Sequence, residues 1–295
     1  MYKPMLTVMV GLSGSGKSTI ARTELADENT VIVSSDAIRE ELCGAVEDQS
    51  KNVEVFKLFH ERIRRNLEKK KNVIADATNL TMKSRRAILM TVNGLEDVFK
   101  RCYIVPKPYE QCLEDNRHRE HPVPDEVLAK QIGRFQIPFI EEGFHTIIFH
   151  RMPENCEAND IPDMRGFDQQ NPHHTLDLYN HCTMAVRLFS AKYVYPARFL
   201  IGALYHDIGK MYTQTFDESG IAHYYQHQSV GSYHFLTAMC SIDEETVLDE
   251  CFIINYHMLP FYWETKKAHQ KWRKRFGEEK YHILMAFHEC DMRAR

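Results

Sequence analysis

No apolar run in these 295 residues approaches the roughly 18 that a membrane helix needs, so a membrane-spanning role is not expected. The opening residues read as a strand rather than a signal peptide. Eight cysteines (Cys43, Cys102, Cys112, Cys156, Cys182, Cys240, Cys251 and Cys290) contain no C-x-x-C pair and build no dense framework. In a chain this long they read as reduced thiols, and the expected compartment is the cytoplasm. Net positive charge is also missing. With 37 Lys/Arg against 41 Asp/Glu the chain carries −4, and bulk electrostatics offers no nucleic-acid signature. Internal repeats and low-complexity tracts are absent as well.

What is present is a soluble globular composition, 43 % hydrophobic and 26 % charged, at a length suited to two domains. Charge divides unevenly along it. Up to Met152 there are 23 Lys/Arg against 22 Asp/Glu; beyond it there are 14 against 19, with 11 of the 16 histidines. An acidic, histidine-rich half suits cations better than polyanions. Residues 153–172, rich in Pro, Asn, Asp and Glu, have the composition of a linker, which places a boundary near 152.

The strongest local signal is Gly11-Leu12-Ser13-Gly14-Ser15-Gly16-Lys17-Ser18-Thr19, which satisfies G-x-x-x-x-G-K-[ST]. It follows an apolar run, Met5 to Val10, that reads as a buried strand, and leads into a helix over Thr19 to Leu25. Glycines let successive N–H groups turn toward phosphate oxygens, and the helix N-terminus adds partial positive charge. Gly11, Ser13, Gly14, Ser15, Gly16 and Thr19 form the cradle. Lys17 reaches the β/γ-phosphates, and Ser18 ligates Mg²⁺. The expected cofactor is ATP or another nucleoside triphosphate, with Mg²⁺.

Further strands are expected over Thr30 to Ser34, Asn72 to Asp76, Lys100 to Val105 and His145 to His150. Amphipathic helices separate them, and the order predicts a parallel α/β sheet. Asp36 follows the second strand. It is either an N-cap or a general base facing the crevice at the sheet's C-terminal edge, and the two roles are compatible. Arg39 lies one turn further along the same face, placed to hold a phosphate. Asp76 closes the third strand, where an acid supports Mg²⁺ or its waters. Between helices over Tyr109–Asn116 and Asp125–Phe135, the stretch Arg117-His118-Arg119 has the form of a helical kinase lid, with Arg117 and Arg119 preferred to Arg134 as partners of the transferring phosphoryl.

Together the loop, Ser34-Ser35-Asp36-Ala37-Ile38-Arg39, Asp76-Ala77-Thr78-Asn79-Leu80 with Arg85-Arg86, and the Arg117/Arg119 lid resemble the 5′-hydroxyl polynucleotide kinases of the phage end-healing type, over about residues 1–150. The resemblance implies Lys17 on the phosphates, Ser18 on Mg²⁺ and Asp36 as general base toward a 5′-OH. It further implies Arg39 on the acceptor's 3′-phosphate and an arginine of 117–119 in the lid.

From His173 onward, long amphipathic segments predict an all-α domain. His206-Asp207 ends an apolar helix, with Gly209 as its expected C-terminal cap. Both side chains enter one site only if that site is central to the bundle. Other helices then offer His181, His227, His257 and Asp291. Neutral imidazoles with carboxylates select one or two divalent transition-metal ions (Mn, Ni, Co, Zn or Fe) over Ca²⁺. Two ions sharing a carboxylate activate a water and stabilise a leaving phosphate oxygen. This pattern, with His206-Asp207-Ile208-Gly209-Lys210 and His288-x-x-Asp291, resembles the HD-domain phosphohydrolase superfamily over roughly 173–295. The resemblance implies a dinuclear centre with Asp207 catalytic. His173 or His174 is a further candidate for substrate phosphate, Lys210 is a phosphate ligand or a solvated lysine, and His223 and His234 read as bystanders. Tyr224-Tyr225 and Phe261-Tyr262-Trp263 are each either packing residues or base-stacking contacts, and the basic Lys271-Trp272-Arg273-Lys274-Arg275 is either a solvated face or a nucleic-acid backbone contact.

The combined expectation is a bifunctional end-healing enzyme. It phosphorylates a 5′-OH of RNA or DNA and hydrolyses a 2′,3′-cyclic phosphate or a 3′-phosphate, with a ligase acting downstream. Alternatives are a nucleoside or small-molecule kinase joined to a nucleotide hydrolase, a kinase regulated by a silent HD sensor, and an ATP-gated scaffold for a repair partner. Oligomeric state is left open.

Overall fold

The computed structural model describes residues 3–151, 161–171, 175–192, 194, 197–240 and 243–294. Contacts divide the chain into two compact units, Met1–Gln131 with Glu142–Cys156, and Ile132–Glu141 with Glu157–Arg295. Much of the expected linker, including residues 152–160 and Pro172, lies outside the described residues, as do His173 and His174.

The first unit is built around a five-stranded sheet flanked by helices. Its strands are β1 (Met5–Val10), β2 (Thr30–Ser34), β3 (Asn72–Asp76), β4 (Phe99–Ile104) and β5 (Thr146–Phe149). All neighbours are parallel, in the order β2-β3-β1-β4-β5. Central β1 is sheathed on both faces, which is why it reads as an unbroken apolar run rather than an alternating one. The chain leaves β1 toward β2 on one side and crosses back to β4 on the other, so the C-terminal end of β1 is the sheet's switch point, where open α/β sheets place their ligands.

Helices α1 (Lys17–Ile20, continued by a wider turn over Ala21–Leu25), α2 (Ser35–Cys43), α3 (Asn52–Glu68), α4 (Met82–Thr91), α5 (Tyr109–Arg117) and α6 (Asp125–Ile132) complete this unit. Helix α3 buries Val55, Phe59, Ile63 and Leu67, one stripe at helical spacing. Arg85 in α4 is a structural residue. Its guanidinium is fully buried, donates to both carboxylate oxygens of Glu142 at 2.9 and 2.6 Å, and reaches the carbonyl of Asn79 at 3.1 Å.

The second unit is helical: α7 (Leu178–Lys192), α8 (Ala197–Leu204), α9 (Lys210–Thr213), α10 (His227–Met239), α11 (Glu244–Tyr256) and α12 (Lys266–Asp291). It also holds a two-residue antiparallel ladder, β6 (Thr215–Phe216) with β7 (Ala222–His223), too short to leave an alternation in sequence. Helix α12 starts behind a Thr265 N-cap and breaks at Gly277, whose φ is 76°.

Residues Ile132–Glu141 belong to this unit although they precede β5. Phe139 sits edge-on to Phe252, Tyr256 and Phe276, and Phe135 edge-on to Tyr233. Asn255 ties the segment down, accepting from the Ile137 N–H at 3.1 Å and donating to the Phe135 carbonyl at 3.0 Å. A single cut near 152 therefore does not separate the two cores. No composition shift marks this segment, because its identity lies in what it packs against.

Candidate active sites

In the first unit the loop leaves β1 and wraps Lys17, whose ammonium donates to the Leu12 carbonyl at 2.6 Å and to Ser15 Oγ at 3.3 Å. Gly14 has φ of 80°, and a β-carbon there would strike the carbonyl of Cys112, so only glycine fits. Lys17 is 7 % exposed, and burial pushes its ammonium below the ordinary lysine range despite the nearby carboxylate of Asp76. Asp76 is itself buried. Desolvation raises its carboxyl, against a hydrogen bond from Ser18 and the charge of Lys17. A hydroxyl and a buried carboxylate side by side form an oxygen donor set that fits Mg²⁺.

The register pairs Ser34 with Asp76, so the ends of β2 and β3 stand level above the loop. Ser34, not Asp36, caps α2: its Oγ accepts from the Ala37 N–H at 3.4 Å. Asp36 falls in the first turn, with its side chain half exposed and free of capping duty. Arg39 reaches Asp36 at 3.2 Å and Asn52 at 3.0 Å. Its Nε is buried with no hydrogen-bond partner, a donor poised for an anion.

The two lid arginines part company. Arg119 lies 3.9 Å from Asp36 and close enough to Lys17 to depress its ammonium. Arg117 faces its own carboxylates, Asp125 at 2.8 Å and Glu114 at 3.5 Å, with its side chain largely exposed. We expect Arg119→Ala to lower phosphoryl-transfer kcat by roughly 10³-fold, the lower range for a transition-state arginine, and Arg117→Ala to leave it within about twofold. Steady-state kinetics on the two variants separates them.

Three residues hold positions that sequence gives no role for, Asn79 being known there only as part of a motif. Asn79 has φ of 45° and spans two strand ends by donating to Met9 O at 2.8 Å. Buried Asn116 pins the lid through both backbone groups of Val123, at 2.7 and 3.1 Å. Gln131 holds Ser13 from both its amide atoms, at 2.8 and 2.9 Å. Polar residues give no sequence signal for this role, since amide side chains are ordinary on any helix or loop.

In the second unit the six expected ligands converge. His181 lies on α7, His206 and Asp207 follow α8, His227 opens α10, His257 ends α11, and Asp291 ends α12. All six are buried. Each histidine is oriented by a carbonyl on its Nδ1: Ala294 at 2.5 Å for His181, Ala203 at 2.8 Å for His206, Tyr224 at 2.8 Å for His227 and Ile254 at 2.9 Å for His257. A carbonyl only accepts, so each Nδ1 carries the proton and each Nε2 is left with its lone pair.

Those lone pairs meet in two couples, His181 with His206 and His227 with His257, both at 3.2 Å. Two lone pairs do not attract. A proton or a cation must lie between them. Asp207 supplies one carboxylate oxygen to each couple: Oδ2 lies 3.4 Å from His181 and His206, while Oδ1 lies 3.1 Å from His227 and 3.3 Å from His257. Asp291 adds an oxygen 3.2 Å from the first couple. Two ligand groups sharing one aspartate, His181–His206–Asp207 and Asp207–His227–His257, fit a pair of divalent ions.

Protonation follows the same geometry. Burial alone lowers His181, but hydrogen bonds to Asp207 and Asp291 outweigh it and raise the imidazole to about 9. Around His257 burial wins and the pKa falls. Lys210 is held at 2.7 Å by both Asp207 and Gln169, so it is a buried part of this centre rather than a solvated lysine.

Gly209 does not cap the C-terminus of α8 and stands instead at the N-cap of α9. Its φ of −62° is ordinary, and it lies against Gly231 so tightly that a β-carbon on Gly231 would stand 2.6 Å from the Gly209 nitrogen. This backbone contact sets His206-Asp207 against the start of α10, where His227 lies. Trp272, within the basic stretch, stacks on Trp263 at 5.8 Å, while Arg273 pairs with Glu278 on the exposed side. Among the described residues no helix is long and apolar enough to cross a membrane.

Comparison with known proteins covers about half of the chain. Residues 6–138 match the AAA domain family model. A curated relative, the bifunctional polynucleotide phosphatase/kinase of Schizosaccharomyces pombe, is 26 % identical over 159 residues, covering 51 % of this chain and 34 % of its own length. The chain thus spans about a third of that relative. Among solved structures, a chain of a Pnkp1/Rnl/Hen1 RNA repair complex is 26 % identical over 45 % of this chain and 44 % of its own, at a TM-score of 0.40. A gluconokinase from Sinorhizobium meliloti 1021 is 18 % identical over 52 % and 86 %, at 0.37. The loop, the parallel sheet and the family-model match over residues 6–138 give the first unit a P-loop kinase-like fold, whose nucleotide chemistry implies ATP and Mg²⁺.

Proposed function

We propose that this chain heals broken polynucleotide ends, phosphorylating a 5′-OH in its first unit and hydrolysing a 2′,3′-cyclic phosphate or 3′-phosphate in its second, as an HD-type phosphoesterase. The observation that carries the reading is the coexistence of two phosphate-directed sites of opposite design. One is a cationic cradle for a triphosphate, and the other is a six-ligand cluster for cations. The likeness to a phosphatase/kinase acting on polynucleotides supports it, as does the likeness to a chain found with Rnl and Hen1 in an RNA repair complex. A ligase is the partner this reading implies.

In the kinase unit, Lys17 exchanges Leu12 O and Ser15 Oγ for β/γ-phosphate oxygens, and Ser18 with Asp76 holds Mg²⁺. Asp36 takes the proton of the attacking 5′-hydroxyl. Arg39 grips the acceptor's neighbouring phosphate with its idle Nε, and Arg119 bears charge on the transferring phosphoryl. In the hydrolase unit, His181, His206, Asp207, His227, His257 and Asp291 hold two divalent ions, which when bound supply a water nucleophile near neutral pH. Lys210 stands at the rim of that centre, a cation for a phosphate oxygen.

Acceptor identity is tested by ATP consumption with 5′-OH RNA and DNA oligonucleotides against a panel of nucleosides and sugars. Turnover on oligonucleotides supports the reading. Turnover confined to a small metabolite overturns it.

A further inference from the structure

The two loops that deliver His227 and His257 to the cluster both carry paired aromatics. Tyr224 and Tyr225 precede α10, and Phe261 and Tyr262 close the short turn after α11. Trp263, next in the run, is a packing residue, buried between Trp272 and Tyr281. Phe261 behaves differently. It is 42 % exposed, yet its orientation is fixed by an edge-on contact with His288 at 4.5 Å. It lines a cavity of about 290 Å³ together with His181, Asp207 and Asp291.

That cavity has two chemistries. Its polar lining is the metal ligands and Lys210, suited to a phosphate. Its apolar lining is Phe261, Met258 and Met292, and the Tyr224 ring, fixed by its hydroxyl bond to Gln169, lies 5.4 Å from the Lys210 ammonium. A ligand that satisfies both linings carries an anionic phosphorus centre and a planar apolar group a few bonds apart. Its volume sits at the small end of ligand cavities, roughly 300–1,000 Å³, the size for a single nucleotide unit. Every base offers a π-face, so an aromatic platform accepts any sequence.

We infer that Phe261 is the stacking platform for the nucleobase of the phosphoester this centre hydrolyses. The inference rests on the phosphoesterase reading above and adds a substrate class, base-bearing esters in preference to base-free ones. The base is supplied either by a polynucleotide 3′ end or by a free nucleotide.

The test compares the full-length chain with Phe261→Leu and Phe261→Trp on three esters: adenosine 2′,3′-cyclic phosphate, an RNA ending in the same group, and the base-free methyl riboside cyclic phosphate. Wild type is expected to favour base-bearing esters by about tenfold or more in kcat/KM, mainly through KM, and Phe261→Leu to collapse that ratio toward one. A ratio lost only on the RNA assigns the base to polynucleotide ends; one lost only on adenosine cyclic phosphate assigns it to free nucleotides. Phe261→Trp keeps the preference, and its added fluorescence relative to wild type is quenched by adenosine 3′-monophosphate. This second readout needs no turnover, so it still decides the matter if no ester is hydrolysed and the phosphoesterase reading itself fails. Equal wild-type rates on base-free and base-bearing esters, or an unquenched tryptophan at 261, overturn the inference.

Discussion

Asp207→Asn is expected to strip the histidine–aspartate cluster of metal and to cut phosphoester hydrolysis by on the order of 10³-fold or more, the several kcal/mol that metal-assisted hydrolysis supplies. The reason is the division of labour within one carboxylate, Oδ2 toward His181 and His206, Oδ1 toward His227 and His257. An amide offers one oxygen and one N–H₂, so one couple of imidazoles gains a donor where it needs an acceptor. Lys210 also loses the charge that balances its buried ammonium. Asp291→Asn makes the informative comparison, since Asp291 faces the first couple alone. Metal content measured by plasma emission should fall from two ions toward none in Asp207→Asn, but toward one in Asp291→Asn. Phosphoryl transfer from ATP should persist in both.

Lys17→Ala is the mirror experiment, with an expected loss of on the order of 10³-fold in phosphoryl transfer, the scale set by removing a cation from the transferring phosphoryl's surroundings. Folding should not suffer, because burial already disfavours this ammonium and its partners, Leu12 O and Ser15 Oγ, are neutral. Isothermal titration with ATP and Mg²⁺ reports the lost phosphate contact, thermal unfolding reports the intact fold, and the rate of phosphoester hydrolysis should match wild type. Loss of both activities together would tie the two sites into one.

Much of this was legible in the sequence, and what was missed has identifiable causes. Buried parallel strands announce themselves as apolar runs, so β1 and β3 fall where the residues place them, and so does the half-buried edge strand β2. The loop is a local motif, read from nine adjacent residues. The six cluster ligands were named from residue type and helix position, though their pairing into two couples needed the bundle.

The cap of α2 stays open in sequence because Ser34, Ser35 and Asp36 are all good caps, and only the strand's end decides which one is used. Arg117 and Arg119 are indistinguishable on paper. Their surroundings, Asp125 for one and Asp36 for the other, come from different elements. Gly209 carries the sequence signature of a C-terminal cap and instead serves a close backbone approach to Gly231, which depends on a partner 22 positions away. The first half of α12 hid behind its charge, since Lys271 to Arg275 resembles a solvated basic run until Trp272 is seen against Trp263.

The most direct test is a single reaction on an RNA with a 5′-OH and a 2′,3′-cyclic phosphate, given γ-labelled ATP and a divalent transition metal, with both ends analysed from the same tube. Wild type should label the 5′ end and open the cyclic phosphate, Lys17→Ala should act only on the 3′ end, and Asp207→Asn only on the 5′ end. An RNA left unchanged at both ends by wild type, while ATP is spent on a small acceptor, would contradict the account.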